Sequence, residues 1–415
     1  MARLEDMGKR VATEGPRRRV AVVGAGYAGM AAAVTLAERG VPVTVFESGP
    51  VPGGRARRVT TEGRELDNGQ HILIGAYTEL LRLMRQVGVS RDAVLRLPLE
   101  LRYADGFRLR GTSGLLFSRK IPLRERLDAI LFMLSLKRNA FRLPKDIPVN
   151  ALLQQYRQNG VIGHYVWRPL CISALNTPPE QASAQVFITV LRDSLAAGSA
   201  ASELLLPRVD LSKLFPEPAA EYVRARGGEI RTNSPVRDLA TIREDFGAVI
   251  VAVGPHQLKT LLPDIAFDSE YQPIYTCYLQ YPGDVGLPCP MLGFADGLVQ
   301  WAFDRGKLTG ERGLIACVIS AQGDHQQMTQ EELAATCHGE LKAALPGLPD
   351  PQWTRVIGEK RATIACVPGM KKIDSGRNEK DLFLAGDYLD PDYPPTLEAA
   401  VRSGIRAAMK LINKE

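Results

Sequence analysis

The stretch "RRRVAVVGAGYAGMAAAVTLAERGVPVTVFES", residues 17–48, runs from an apolar segment through a glycine turn and a small-residue helix to a second apolar segment. Val20–Val23 shows no polar alternation, as in a parallel strand buried on both faces. Gly24, Gly26 and Gly29 then fall at G-x-G-x-x-G spacing. The first glycine permits the turn, the second lets backbone approach a pyrophosphate, and the third lets the helix pack closely on the strand. The free N–H groups of the helix's first turn, at Ala28, favour phosphate there. The second run, Val43–Phe46, ends at Glu47 and Ser48, with the acid 23 residues past Gly24 and placed to accept hydrogen bonds from a ribose diol. Strand, turn, helix and acid in register read as an adenine-dinucleotide site on a doubly wound α/β sheet. Val20–Ala37 is also uncharged for 18 residues, close to a membrane-span length. Its three glycines and the strand that follows identify a turn and a buried helix, so no transmembrane helix is expected.

Working outward, "SGPVPGGRARR" (48–58) follows the ribose acid. Gly53 and Gly54 give pliable backbone, and Arg55 offers a permanent charge with a donor fork suited to pyrophosphate oxygens. "TTEGRELDNGQHILIG" (60–75) reads as a hairpin turning at Glu62-Gly63, with Asn68-Gly69 leading into an apolar strand. "RGGEIRTNSPVRDL" (226–239) reads as a strand, a turn and a return, and "FGAVIVAVGPHQL" (246–258) as another buried strand ending at Gly254. Near the end, "LAGDYLDPDYPPTLEAAVRSG" (384–404) gives a strand that stops at Gly386-Asp387, a proline-studded loop and a helix opening at Thr396-Leu397. In a doubly wound fold that strand also ends where ligands gather. The helix would then aim its N–H groups, and the positive end of its dipole, at the same ligand. Thr396 as a simple N-cap and Glu398 as a first-turn acid explain the same residues.

The G-G-R extension resembles the FAD proteins of the amine oxidase and phytoene desaturase superfamily. GAGYAG, VPGGRAR, LDNGQHILIG, PLCISALNTPPEQASA (169–184) and the C-terminal stretch together resemble one bacterial branch. That branch is the squalene-associated FAD-dependent desaturases, or hydroxysqualene dehydroxylases, of hopanoid biosynthesis. The resemblance covers about residues 18–410 and implies FAD as cofactor. It runs residues 60–75 beside the isoalloxazine ring, where Gly69 allows close approach and Gln70 and His71 reach ring or substrate. It pairs adenine with the backbone at Val236, closes a strand at Gly254, and sets Asp387 on the ribityl hydroxyls. The implied reaction is reductive dehydroxylation of hydroxysqualene to squalene, a hydride from reduced flavin N5 replacing an allylic hydroxyl. A general acid is expected, because hydroxide leaves poorly; His71 and then Tyr388 are the candidates. A carotenoid-type desaturase would use the scaffold oxidatively, an amine oxidase would need an amine-recognising cage, and a lipid escort would have lost flavin. Intact Gly29, Arg55, Gly69 and Asp387 speak against the escort.

The expected architecture is a discontinuous Rossmann-like FAD domain (18–76, 206–262 and 358–415) with a mixed α+β substrate domain (77–205 and 263–357), after a disordered tail at 1–17. In the second insertion, "YQPIYTCYLQY" (271–281) alternates, with Ile274, Tyr278 and Gln280 on one face and Tyr275, Cys277, Leu279 and Tyr281 on the other. Together with Phe294, Trp301 and Phe303 such a sheet could wall an apolar tunnel for a long isoprenoid. Residues 102–146 carry eleven Arg/Lys against four Asp/Glu, a surplus larger than the whole chain's +6. The apolar run Ala129–Leu136 sits among these charges, so 119–148 is expected either to lie on an anionic membrane surface or to be a core helix with solvated ends. No nucleic-acid module accompanies the charge. Six cysteines without C-x-x-C or metal-ligand spacing, and an N-terminus without an apolar leader core, fit a cytoplasmic protein bound peripherally to the inner face of the membrane. No metal is expected, and only one dinucleotide fingerprint is visible, which leaves the electron donor open.

Overall fold

The computed structural model describes residues 19–111, 113–265, 270–370, 373 and 381–414; the tail expected at 1–17 lies outside the described residues. Five parallel strands build the sheet that the opening stretch demands. From edge to edge they are Glu229–Arg231, Val43–Phe46, Val20–Val23, Ala248–Val251 and Leu382–Leu384. The chain winds outward from Val20–Val23 in both directions, so the strand order reverses beside it and opens a crevice at the strands' carboxyl ends. The three central strands are buried throughout, which explains why they read as unbroken apolar runs.

Helix α1 (Tyr27–Glu38) and the C-terminal helix (Leu397–Ile412) cross on this sheet. Their crossing is tight: a Cβ added at Gly404 would lie 2.0 Å from the Ala28 carbonyl oxygen. The small residues Ala31–Ala33 of α1 are fully buried in the same core. Helix α2 (Thr78–Gln86) joins it too through Leu80, Leu83 and Met84. The boundary drawn at 76/77 therefore separates elements that pack together.

The stretch 77–205 of the expected mixed α+β substrate domain carries, besides its helices, the strands Val94–Leu97, Glu100–Arg102 and Arg108–Arg110. Val94–Leu97 and Leu73–Ile74 flank Leu204–Pro207 in a three-stranded antiparallel sheet, so the 205/206 boundary falls inside a strand. These strands span two to four residues, too short for alternation to register. Likewise, the return expected after Glu229–Arg231 is a loop leading into the helix Leu239–Asp245.

The second large sheet is antiparallel, in the order Met291–Gly293, Trp301–Asp304, Leu314–Ser320, Tyr271–Gln280, Trp353–Ile364. Its two faces follow the alternation read in 271–281. Ile274 and Tyr278 face the helical lobe, while Tyr275, Cys277, Leu279 and Tyr281 join the core under the helix Gln330–Ala344. Trp301 and Phe303 are on the inner side, but Phe294 packs in the outer core and does not reach the tunnel. Helices α3 (Gly114–Phe117) and α4 (Leu123–Arg138) cover a corner of the helical lobe. Among the described residues no helix is long and apolar enough to cross a membrane, and no cluster of His, Cys, Asp and Glu could hold a metal ion.

Candidate active site

A cavity of about 1280 Å³ runs between the two sheets, larger than the roughly 300–1,000 Å³ typical of a single small-ligand pocket. One end is backbone. Gly24 sits at φ +102°, and a Cβ there would approach the Ala252 carbonyl oxygen to 2.6 Å; at Gly29 it would reach the Gly24 carbonyl oxygen at 1.9 Å. Those two glycines are fixed by packing. Gly26 differs, because its added Cβ would meet nothing nearer than the Gly54 Cα at 3.8 Å. The Gly53 N–H donates to the Ala25 carbonyl at 2.8 Å, so the G-G-R stretch is clamped directly onto the glycine turn.

Glu47 closes this cradle. Its Oε2 accepts the Ala25 N–H at 2.8 Å, and its Oε1 accepts the Gly49 N–H at 2.8 Å and the Ser48 hydroxyl at 3.2 Å. Val236 and Gly254 line the same end. So do Arg237 and His256, which the sequence did not single out.

Arg55 lines the cavity and is held by two groups of the protein itself. Its Nη2 donates to Asp387 Oδ1 at 2.6 Å and its Nη1 to the Ala362 carbonyl at 2.6 Å. Burial pulls the guanidinium down, but Asp387, with Glu359 and Tyr271 beside it, outweighs that effect and leaves it above its usual value. The pair bridges three remote stretches at the cavity wall. Asp387 is itself nearly buried, and the Gly386 N–H is held by Ser403 Oγ at 3.0 Å. The Tyr388 hydroxyl donates to the Val253 carbonyl at 3.0 Å, and burial raises its pKa, so its proton is committed to backbone. Thr396 caps its own helix by accepting the Ala399 N–H, and Thr396 and Leu397 both line the cavity.

Beside Gly69 stand two polar atoms without a partner, one of them on a residue that lines the cavity. His71 Nδ1 and Thr276 Oγ1 are buried with no hydrogen-bond partner; His71 lines the cavity, whereas Thr276 is fully buried. A Cβ on Gly69 would stand 3.8 Å from His71 Cε1 and 4.0 Å from Thr276 Oγ1. Burial drives His71 down to about 4, so the ring is neutral at physiological pH. The alternation of 271–281 puts Thr276 on the inner face with Ile274, but its side chain is fully buried and does not line the cavity.

Gln70 is held from behind. Its Nε2 donates to the Tyr278 hydroxyl at 2.9 Å, which donates to the Asp67 carbonyl at 2.9 Å, while Arg305 Nη1 reaches Gln70 Oε1 at 3.3 Å and Asp67 Oδ2 at 3.2 Å. Burial pushes Asp67 up to about 6 against the opposing pull of Arg305 and the Leu211 N–H. The far wall is apolar, with Leu170, Ala174, Leu204, Met291, Trp301 and Phe303 among its residues.

A dinucleotide fits this arrangement on two counts. Helix α1 begins at Gly26 with no side-chain cap and no acid in its first turn, yet Tyr27–Met30 are buried. A buried helix start without a cap needs another partner, and an anion suits it. The orphaned His71 nitrogen, on a residue that lines the cavity, likewise calls for a polar group that the chain does not supply.

The family model for flavin containing amine oxidoreductases matches residues 27–412. A hydroxysqualene dehydroxylase from Sinorhizobium fredii is 30% identical over 94% of this chain and 97% of its own. A probable zeta-carotene desaturase from Synechococcus elongatus is 22% identical over 96% of this chain and 99% of its own. Among solved structures, an oxidoreductase from Methanosarcina mazei shares the fold with a TM-score of 0.72 at 16% identity, over 94% of this chain and all of that one.

Proposed function

The chain belongs to the flavin containing amine oxidoreductase family, and within it we propose a hydroxysqualene dehydroxylase that converts an allylic C30 alcohol to squalene. It is an oxidoreductase, and FAD is its cofactor. The observation that carries the proposal is one continuous cavity, a dinucleotide cradle at one end and an apolar chamber at the other. Identity to curated dehydroxylases over nearly the whole chain supports the same reading.

Gly24, Gly26, Gly53 and Gly54 would bound the pyrophosphate, Glu47 the adenosine ribose, and Asp387 with the start of the C-terminal helix the flavin end. Reduced FAD, when bound, would supply a hydride to the carbon, and the hydroxyl would leave as water on taking up one proton. The chamber walls exclude water from the isoprenoid chain and leave its C–O bond as the polar group to be placed. We assign His71 to that placement, because its Nδ1 is an unpaired polar atom beside Gly69 and the residue lines the cavity. A ring whose pKa lies near 4 stores no spare proton at neutral pH, so His71 holds the departing oxygen by a hydrogen bond. Gln70, pinned by Arg305 and Tyr278, keeps that side of the site rigid.

Anaerobic, dithionite-reduced protein mixed with hydroxysqualene should be reoxidised in one turnover and yield squalene by mass. Failure of the alcohol to reoxidise the flavin would overturn the assignment. Desaturation of zeta-carotene by the oxidised protein would transfer it to the desaturase reading, which the more distant relatives favour.

A further inference from the structure

Helix α4 carries apolar side chains on two opposite sides. Ala129, Phe132 and Leu136 point into the helical lobe and are buried, so only part of the apolar run read in the sequence is available to anything outside. Leu123, Leu127, Ile130, Leu131 and Leu134 form a second stripe that faces out, with Leu123 64% and Leu131 62% exposed. Their spacing puts them on one face about 17 Å long. Phe117 of α3, 78% exposed, extends it. Contiguous apolar surface of this kind marks an interaction site rather than ordinary exposure. Arg119, Lys120, Arg124, Lys137 and Arg138 are exposed around the stripe. The acids on α4 do not balance them: Glu125 accepts the Ile162 N–H, and Asp128 is half-buried.

We propose that the α3–α4 corner is a docking surface for an anionic lipid bilayer, with α4 lying in the interface plane and its outward leucines in the acyl region. An apolar strip rimmed by exposed cations matches such a surface in both shape and charge. A second copy of the chain matches it poorly, because a two-fold contact would set this basic rim against itself. The corner also adjoins the cavity. Leu99, Leu109 and Gly111 line it, the Gly111 N–H donates to the Leu99 carbonyl, and Gly114 of α3 packs on Leu109, where an added Cβ would come within 3.3 Å. A long apolar substrate would thus enter beside Phe117 without crossing water. That delivery step rests on the function proposed above; the docking does not.

The test is co-sedimentation of the FAD-loaded full chain with phosphatidylcholine vesicles, with and without phosphatidylglycerol and without substrate. Binding is expected to the anionic vesicles alone and to weaken with salt. Leu127→Glu with Leu131→Glu should cost about tenfold or more in partitioning. Arg124→Gln and Arg138→Gln should each cost about fivefold. Both arginines are exposed, so their variants decide the matter if the glutamate pair does not fold. Retained flavin absorbance and turnover of a detergent-dispersed alcohol separate lost docking from lost function. Equal binding by wild type and variants, no binding by wild type, or a dimer in light scattering that Leu131→Glu dissociates would each overturn the proposal.

Discussion

His71 and Asp67 lie four residues apart, and burial moves them in opposite directions along the pH scale. His71 falls from 6.5 to about 4, and Asp67 rises from 3.8 to about 6. Between pH 6.5 and 4 the unfolded chain binds a proton at His71 that the folded chain refuses, so this residue makes stability fall as pH falls. Asp67 acts the other way, because between pH 6 and 3.8 the folded chain holds a proton that the unfolded chain has released. His71→Gln removes the first effect alone. Its melting temperature relative to wild type should therefore rise on going from pH 7 to pH 5; an unchanged difference would mean that the imidazole titrates normally in the fold. Arg305 gives a second expectation. Its side chain is nearly buried between Asp67 and Glu311, and removing one partner of a buried pair costs about 3–5 kcal/mol. Arg305→Met should show that loss in denaturant unfolding, and Asp67→Asn in the same background should recover part of it. The glycines and Glu47 were legible because local spacing defines them. Arg305 was not, because 238 residues separate it from Asp67 and no pattern in either segment points to the other.

The C-terminal helix shows how a residue can be typed correctly and its partner missed. Glu398 reads as a first-turn acid of its own helix, yet its side chain is fully buried and serves α2. Its carboxylate accepts the Glu79 N–H at 3.0 Å and the Leu80 N–H at 2.8 Å, while Arg402 Nε holds it at 2.7 Å. Helix α2 has no side-chain cap from Tyr77, so a different helix completes its N-terminus. Glu398→Ala would strand two helix N–H groups and a guanidinium, at about 3–5 kcal/mol. Glu398→Gln keeps one acceptor and should cost about 1–3 kcal/mol. Amide exchange should quicken first in Thr78–Gln86; uniform quickening would show that the cap is not local. Elements with a sustained pattern were readable in this way. The five parallel strands, the hairpin at Glu62-Gly63 and the two-faced strand Tyr271–Gln280 all follow from runs or alternation in the sequence. The short strands of 94–110 and the packing of α2 on the dinucleotide core depend on tertiary partners, and local sequence does not encode those.

At the scale of the molecule, the cavity belongs to neither sheet alone, and two different devices hold its halves. The cradle half is shaped by missing side chains, above all at Gly26. The chamber half is held by a joint at Asn176, whose left-handed backbone (φ 46°) turns its amide onto the antiparallel sheet. Asn176 Nδ2 donates to the Gln272 and Pro273 carbonyls and to Thr363 Oγ1, and its Oδ1 accepts the Ala321 N–H at 2.7 Å. This explains why the NTPPEQASA stretch stands out in the sequence without carrying reactive groups: it fastens the helical lobe to the sheet. The two devices should fail separately. Gly26→Val fills the space under Gly54, and the purified protein should be folded by far-UV circular dichroism but colourless. Asn176→Ala leaves buried backbone groups unpaired, at about 1–3 kcal/mol each, yet touches nothing at the glycine turn. It should stay yellow with FAD affinity within about threefold of wild type, since little binding energy is removed there, while turnover of a long-chain alcohol drops through a higher KM. Colourless Asn176→Ala protein would show instead that cradle and chamber form one cooperative unit, with the cofactor held as much by the lobe-to-sheet joint as by the glycines.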